Sequence, residues 1–179
     1  DVATYDGTTA RHDDEVDLLY VMTHGESTAT SYKSLWNTID WTPGATGLGG
    51  QRLVVAVFDT CNLIDTSSHP QWTHVWQSPA LGTSVRILLG FDGVATVDRG
   101  STIRGRAFAE LVCQGVPFAD AWIRAVHTTS AYQSQGMDQA VAIGLGDSAA
   151  DAANVLATAS IHQMPGARTG NALSFAIVR

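Results

Sequence analysis

Leu53-Val54-Val55-Ala56-Val57-Phe58-Asp59-Thr60-Cys61 is the stretch that decides the fold. Its first six residues are apolar without a break and rich in β-branched side chains. A half-exposed strand would alternate, and an amphipathic helix would repeat at three and four residues. An unbroken short run reads instead as a strand buried on both faces, as in a parallel sheet. A second run, Val16-Asp17-Leu18-Leu19-Tyr20-Val21-Met22-Thr23, has the same character and leads straight into His24-Gly25. In open α/β sheets, ligands bind at the carboxyl ends of the strands. One run ends in a histidine and the other in a thiol. Such a pair is the minimum set for nucleophilic catalysis by sulfur.

Working outward, three further strands are expected over 85–91, 140–145 and 173–178. Between the third and fourth lie two helical patterns. Ile103, Ala107, Phe108 and Leu111 share a face behind Ser101 or Thr102 as cap, and Gly115 closes that helix. Pro117 opens the next, with Phe118, Ala121, Trp122, Ala125 and Val126 on one side. Asp147 could cap a small helix that turns Ala152, Val155, Leu156 and Ala159 inward. A weakly patterned helix is expected across 29–39. The long connection over 62–83 begins just past Cys61, which suits a functional loop. Together these give one α/β domain over 1–179, a mostly parallel sheet of about five strands with helices on both faces.

The composition narrows the function. The chain has 179 residues, is 45% hydrophobic and 15% charged, and carries a net charge of −7, which describes a folded globular protein. The acidic balance argues against nucleic acid, which needs a basic footprint, and suits basic substrates. No apolar run approaches the roughly 18 residues of a membrane span. The chain opens on Asp1-Val2-Ala3 without a leader or a starting Met, so it reads as a processed soluble product, weakly a secreted one, or a trimmed segment. Two cysteines make no disulfide scaffold. Cys113, between Leu111-Val112 and Gln114-Gly115, reads as a small buried core residue.

A block ending in His24-Gly25, followed by a block ending in the Asp-x-Cys step of Asp59-Thr60-Cys61, resembles the caspase-like cysteine peptidases of clan CD. That group includes caspases, metacaspases, legumains, clostripains and gingipains, and this chain resembles a bacterial-type member. The His-to-Cys order suits the group, and the likeness spans roughly 16–130. It implies the family's three-layer sandwich and a cysteine endopeptidase that needs no cofactor or metal. Cys61 would be the nucleophile and His24 the general acid and base. The backbone N–H groups of Gly25 and Cys61 would hold the oxyanion. As in metacaspases, Asp59 would help line a pocket for the Arg or Lys before the cleaved bond. The partner would be a peptide or protein substrate.

This chain departs from the family in two ways. The caspase Gln-Ala-Cys step is absent, so cleavage after Asp is not supported. Only about 16 residues, mostly polar, precede the histidine-bearing strand, where the family has two strands, so an upstream or processed chain could complete the sheet.

Each residue has a plainer reading. His24 could be a strand-end histidine, Cys61 a core residue and Asp59 a turn cap. Two rival functions follow: a catalytically silent relative that binds peptides, or an unrelated α/β thiol hydrolase acting on an ester or amide. Asp13, Asp14, Glu15 and Asp17 lack the spacing of a calcium loop and read as a solvated acidic turn. His69 and His74 fit no zinc template. Trp36, Trp41, Trp72 and Trp76 either line a groove or cover the core.

Overall fold

A five-stranded sheet carries the molecule, and a three-stranded sheet lies apart from it in the pairing. The computed structural model describes residues 16–22, 24–25, 31–33, 38–40, 52–61, 84–96, 99–169 and 174–179. The strands of the large sheet are β1 (Leu18–Met22), β5 (Val55–Asp59), β6 (Ile87–Phe91), β7 (Ala140–Gly146) and β8 (Ser174–Val178). All five fall where the apolar runs put them. β1, β5 and β6 run parallel, whereas β7 and β8 join antiparallel. The sheet is therefore parallel in one half only, not mostly parallel as expected.

The reason lies in the connections. Between β6 and β7 come two helices, α1 (Arg99–Cys113) and α2 (Phe118–Thr129). One crossover helix returns the chain to start a parallel strand. A second helix brings it back to the end it left, so the next strand runs the other way. Gly115, at φ +81°, makes the turn between them in a conformation that costs glycine little.

The small sheet was not anticipated. Its strands are β2 (His24–Gly25), β3 (Ser31–Lys33) and β4 (Thr38–Asp40), all antiparallel. The last two replace the helix expected across 29–39. Tyr32 and Ile39 are paired residues of this ladder, and both side-chain types favour strands.

Helix α2 follows its sequence pattern. Phe118, Ala121, Trp122, Ala125 and Val126 are all buried. Trp122 is the hub. Its ring meets Phe91 edge-on at 5.3 Å and Phe108 at 5.9 Å, and its indole N–H donates to the Gly90 carbonyl at 2.9 Å. Burying a large apolar side chain completely is worth about 1.5–3 kcal/mol, and the indole loses no hydrogen bond in the process. Helix α3 (Ala149–Thr158) buries Ala152, Val155 and Leu156, as expected, but its cap is Ser148 rather than Asp147. The Ser148 hydroxyl accepts from Asp151 N–H, while Asp147 binds Thr169.

The three described helices share one core with Val55, Val57, Ile87, Leu89, Phe91, Ala140 and Ala142, which belong to one face of the sheet. Ala56, Phe58, Leu88, Val141 and Ile143, which point the other way, are just as buried. The sheet is thus covered on both faces, with the described helices on one. Among the described residues no helix is long and apolar enough to cross a membrane.

Helix α1 differs from expectation. It starts at Arg99, so Ser101 and Thr102 lie inside it rather than at its N-cap. Ile103 is exposed, and the buried stripe is Arg104, Phe108 and Val112.

Candidate functional site

Strands β1 and β5 pair with Leu18 opposite Val55 and Met22 opposite Asp59. His24 stands two residues past Met22, and Cys61 two past Asp59. Both therefore follow neighbouring parallel strands by the same offset, at the end of the sheet where ligands collect. His24 and Gly25 then form β2, opposite Lys33 and Tyr32.

Residues two apart in a strand point to one side. Val55, Val57 and Cys61 accordingly all contact the helix-side core, and Cys61 is half-buried at its edge. Among the described residues, its sulfur hydrogen-bonds Ala95 of the turn after β6. The Cys61 thiol donates to the Ala95 carbonyl at 3.2 Å, and the Ala95 N–H donates back to the same sulfur at 3.3 Å.

Asp59 faces the same side and has a different partner from the one the sequence suggested. It is 4% exposed. Arg104 of α1, itself 1% exposed, donates from Nε to Asp59 Oδ2 at 3.2 Å. The Tyr20 hydroxyl donates to the same oxygen at 2.8 Å. The charge expected to meet a substrate cation thus meets a cation of its own chain.

Arg104 carries the cluster further. Its Nη1 lies 3.5 Å from Asp138 Oδ1, its Nη2 donates to the Thr96 carbonyl at 3.2 Å, and its guanidinium sits 4.7 Å over the Phe91 ring. Asp138 accepts from the Thr96 N–H at 2.6 Å, from the Thr96 hydroxyl and from the Ser130 hydroxyl at 2.6 Å. It holds φ at +51°, a region that Asp tolerates better than most residues. Neither Arg104 nor Asp138 was singled out from the sequence. The available signal was a cation in register with Phe108 and Val112 on a helix stripe.

The titrations follow from burial. Burial raises the Asp59 carboxyl above the ordinary carboxylate range, against the pull of Arg104 and Tyr20, and the Asp138 charge adds to the rise. Burial acts on Asp138 in the same sense. There, hydrogen bonds from Ser130 and Thr96, with the charge of Arg104, outweigh it and leave the carboxyl below that range. Burial, then the Asp59 charge, push the Tyr20 phenol well above its usual value.

Cys113 is exposed at the end of α1, so its reading as a buried core thiol is corrected. The helix end turns it outward where Val112 turns in. Asp17 pairs with Arg52 on the surface. Asp13, Asp14, Glu15, His69, His74 and the four tryptophans at 36, 41, 72 and 76 lie outside the described residues, as does the connection over 62–83.

No curated protein matches the chain. A family model described as a domain of unknown function, DUF6345, matches residues 1–158, and the chain belongs to that family.

Proposed function

We propose that this protein is a cysteine endopeptidase of the caspase-like kind, working through Cys61 and His24. The observation that carries the reading is the equal offset of the two residues beyond paired parallel strands β1 and β5. Cys61 Sγ attacks the substrate carbonyl carbon, and its proton passes to the His24 imidazole. The N–H groups of Gly25 and Cys61 hold the resulting oxyanion. As the C–N bond breaks, His24 returns the proton to the leaving amine and a thioester remains on Cys61. Water, giving a proton to His24, then attacks the thioester. Collapse releases the carboxylic acid and the thiol.

Asp59 takes no part in substrate binding in this reading, because Arg104 and Tyr20 occupy its carboxylate. A preference for Arg or Lys rests on the family resemblance alone. The two contacts between Cys61 and Ala95 favour one rival, a peptide-binding module whose thiol is structural.

Labelling separates these readings. An arginyl peptidyl ketone should add one mass increment at Cys61 and none in Cys61→Ser. His24→Ala should slow peptide turnover about 10²–10⁴-fold. Labelling by an uncharged peptidyl ketone but not the arginyl one would remove the basic specificity. No labelling by either, in protein whose Cys61 still takes iodoacetamide, would favour the binding module. Turnover of small acyl esters without peptides would favour the α/β thiol hydrolase.

A further inference from the structure

We propose that the buried Asp59–Arg104–Asp138 cluster is a positioning device for Cys61, with Arg104 and Asp138 holding the Ala95 backbone against its sulfur. The proposal rests on the reading of Cys61 as a nucleophile, but not on peptide as its substrate.

Residues 92–96 leave the sheet after β6 and belong to no strand or helix. Their backbone is nevertheless pinned on both sides of Ala95. Before it, the Val94 carbonyl accepts from the Asp138 N–H at 2.9 Å. After it, the cluster takes both polar backbone groups of Thr96. Its N–H goes to the Asp138 carboxylate and its carbonyl to Arg104 Nη2. With both neighbours fixed, Ala95 is left with its N–H and C=O aimed at one sulfur. Arg104 also binds Asp59, two residues before Cys61 on the same strand. One guanidinium therefore ties the thiol's strand to the turn that clasps the thiol.

The clasp has a chemical consequence. In the neutral thiol, S–H is held by the Ala95 carbonyl. When the proton leaves, that weak bond is lost. The Ala95 N–H then becomes a charge-assisted donor to the thiolate, and such bonds are about twice as strong as neutral ones. A hydrogen bond to the charged form favours that form, while the Ala95 carbonyl favours the thiol and opposes it; the charge-assisted N–H bond is the stronger of the two and sets the direction. The donor is a backbone group, so no side-chain deletion removes it. Only the brace behind it can be loosened. Among the described residues, the charged and titratable groups around the turn are Asp59 and Tyr20 from the sheet, Arg104 from α1 and Asp138 before β7. Asp92, on the same turn, pairs with Arg179.

The test is the pH–rate profile for iodoacetamide alkylation of Cys61 in the intact chain, resolved from Cys113 by peptide mapping. Asp138→Asn keeps an acceptor for Thr96 N–H and tolerates positive φ, but removes the charge facing Arg104. Thr96→Val, a milder change, removes one hydroxyl donor to Asp138 and leaves the backbone whole. The Cys61 profile should move to higher pH by about half a unit or more in Asp138→Asn, roughly a threefold loss of rate below the midpoint. It should move less in Thr96→Val, and exposed Cys113 should not change in either. A change in access alone alters the plateau rate and leaves the profile's position where it was. If Asp138→Asn does not fold, Thr96→Val decides by the same readout. Profiles that superimpose on the parent's would overturn the proposal, as would equal shifts at both cysteines. A shifted profile with no peptidyl-ketone labelling would sink the peptidase reading and leave the positioning role standing.

Discussion

Arg104→Met removes a cation shared by two buried carboxylates. Asp59 and Asp138 have side chains only 3% and 1% exposed, and Arg104's is 2% exposed. Breaking a buried pair by deleting one partner costs about 3–5 kcal/mol, because the other charge stays buried and uncompensated. Domains of this kind have roughly 5–15 kcal/mol in total. At roughly 2–4 °C per kcal/mol for a chain of this size, the melting point should fall by about 6–20 °C.

The loss should also depend on pH, and the sign can be worked out. Asp138 is depressed in the folded parent, so it stabilises above the ordinary value of 3.8, and that stability is lost as pH falls through its folded value. Asp59 is raised, so burying its charge costs stability above its folded value. That cost is relieved as pH falls towards 3.8. In the parent the two trends oppose each other. Without Arg104 both carboxyls move up: the cost of burying the Asp59 charge grows and the contribution of Asp138 shrinks, so the variant's deficit is smaller at lower pH. Urea unfolding of parent and variant at about pH 7 and 5 reads this directly. Adding Asp59→Asn and Asp138→Asn to Arg104→Met should return most of the lost stability, since the uncompensated charges are gone. A loss below about 1 kcal/mol at neutral pH, the range of a solvated pair, would refute the argument. So would the same loss at both pH values.

Three further outcomes follow. Gly144→Ala would drive its new Cβ into the Ala152 carbonyl oxygen and to 2.8 Å from Leu156 Cγ; it should cost about 1–3 kcal/mol in urea unfolding by pushing α3 off β7, and an unchanged midpoint would contradict that packing. Cys113 should take iodoacetamide in the folded protein at the rate of an ordinary exposed thiol, and protection of that cysteine in peptide maps would contradict its placement. Asp59→Asn should slow arginyl and uncharged substrates alike; a loss confined to arginyl substrates would restore Asp59 to the substrate pocket.

The central strands β5, β6 and β7 were legible because each is a short apolar run buried on both faces, with no polar residue to disguise it, and the partly buried edge strands β1 and β8 were legible from their apolar runs alone. The inward faces of α2 and α3 were legible for a related reason, since their stripes are wholly apolar. Strand direction was harder, because side chains in a fully buried run carry no sign of it. It was nonetheless implicit in the two helical patterns between 91 and 140. A pair of helices reverses the next strand, and that inference was missed. At the candidate site, the offsets of His24 and Cys61 could be read from where the runs stop. Arg104 could not, because a cation on a helix reads as solvated until its partners are known. Those partners, Asp59 and Asp138, lie 45 and 34 residues away along the chain.

On the proposed reading of Cys61 as a nucleophile, an aspartate two residues before it, on the same face, is at first sight a liability, because a nearby anion disfavours thiolate. A substrate cation would relieve it only while substrate is bound. Arg104 relieves it permanently, and does so from inside, where the interaction is least screened by solvent. The cluster still carries two carboxylates for one guanidinium. The second, Asp138, spends its hydrogen-bonding capacity on Thr96 and Ser130 rather than facing the sulfur. What meets the sulfur is the neutral backbone of Ala95. The charges near Cys61 are therefore used to hold polypeptide in place, and the only polar groups the described residues present to the thiol are one N–H and one C=O. Asp59 is in this sense an anchor for α1.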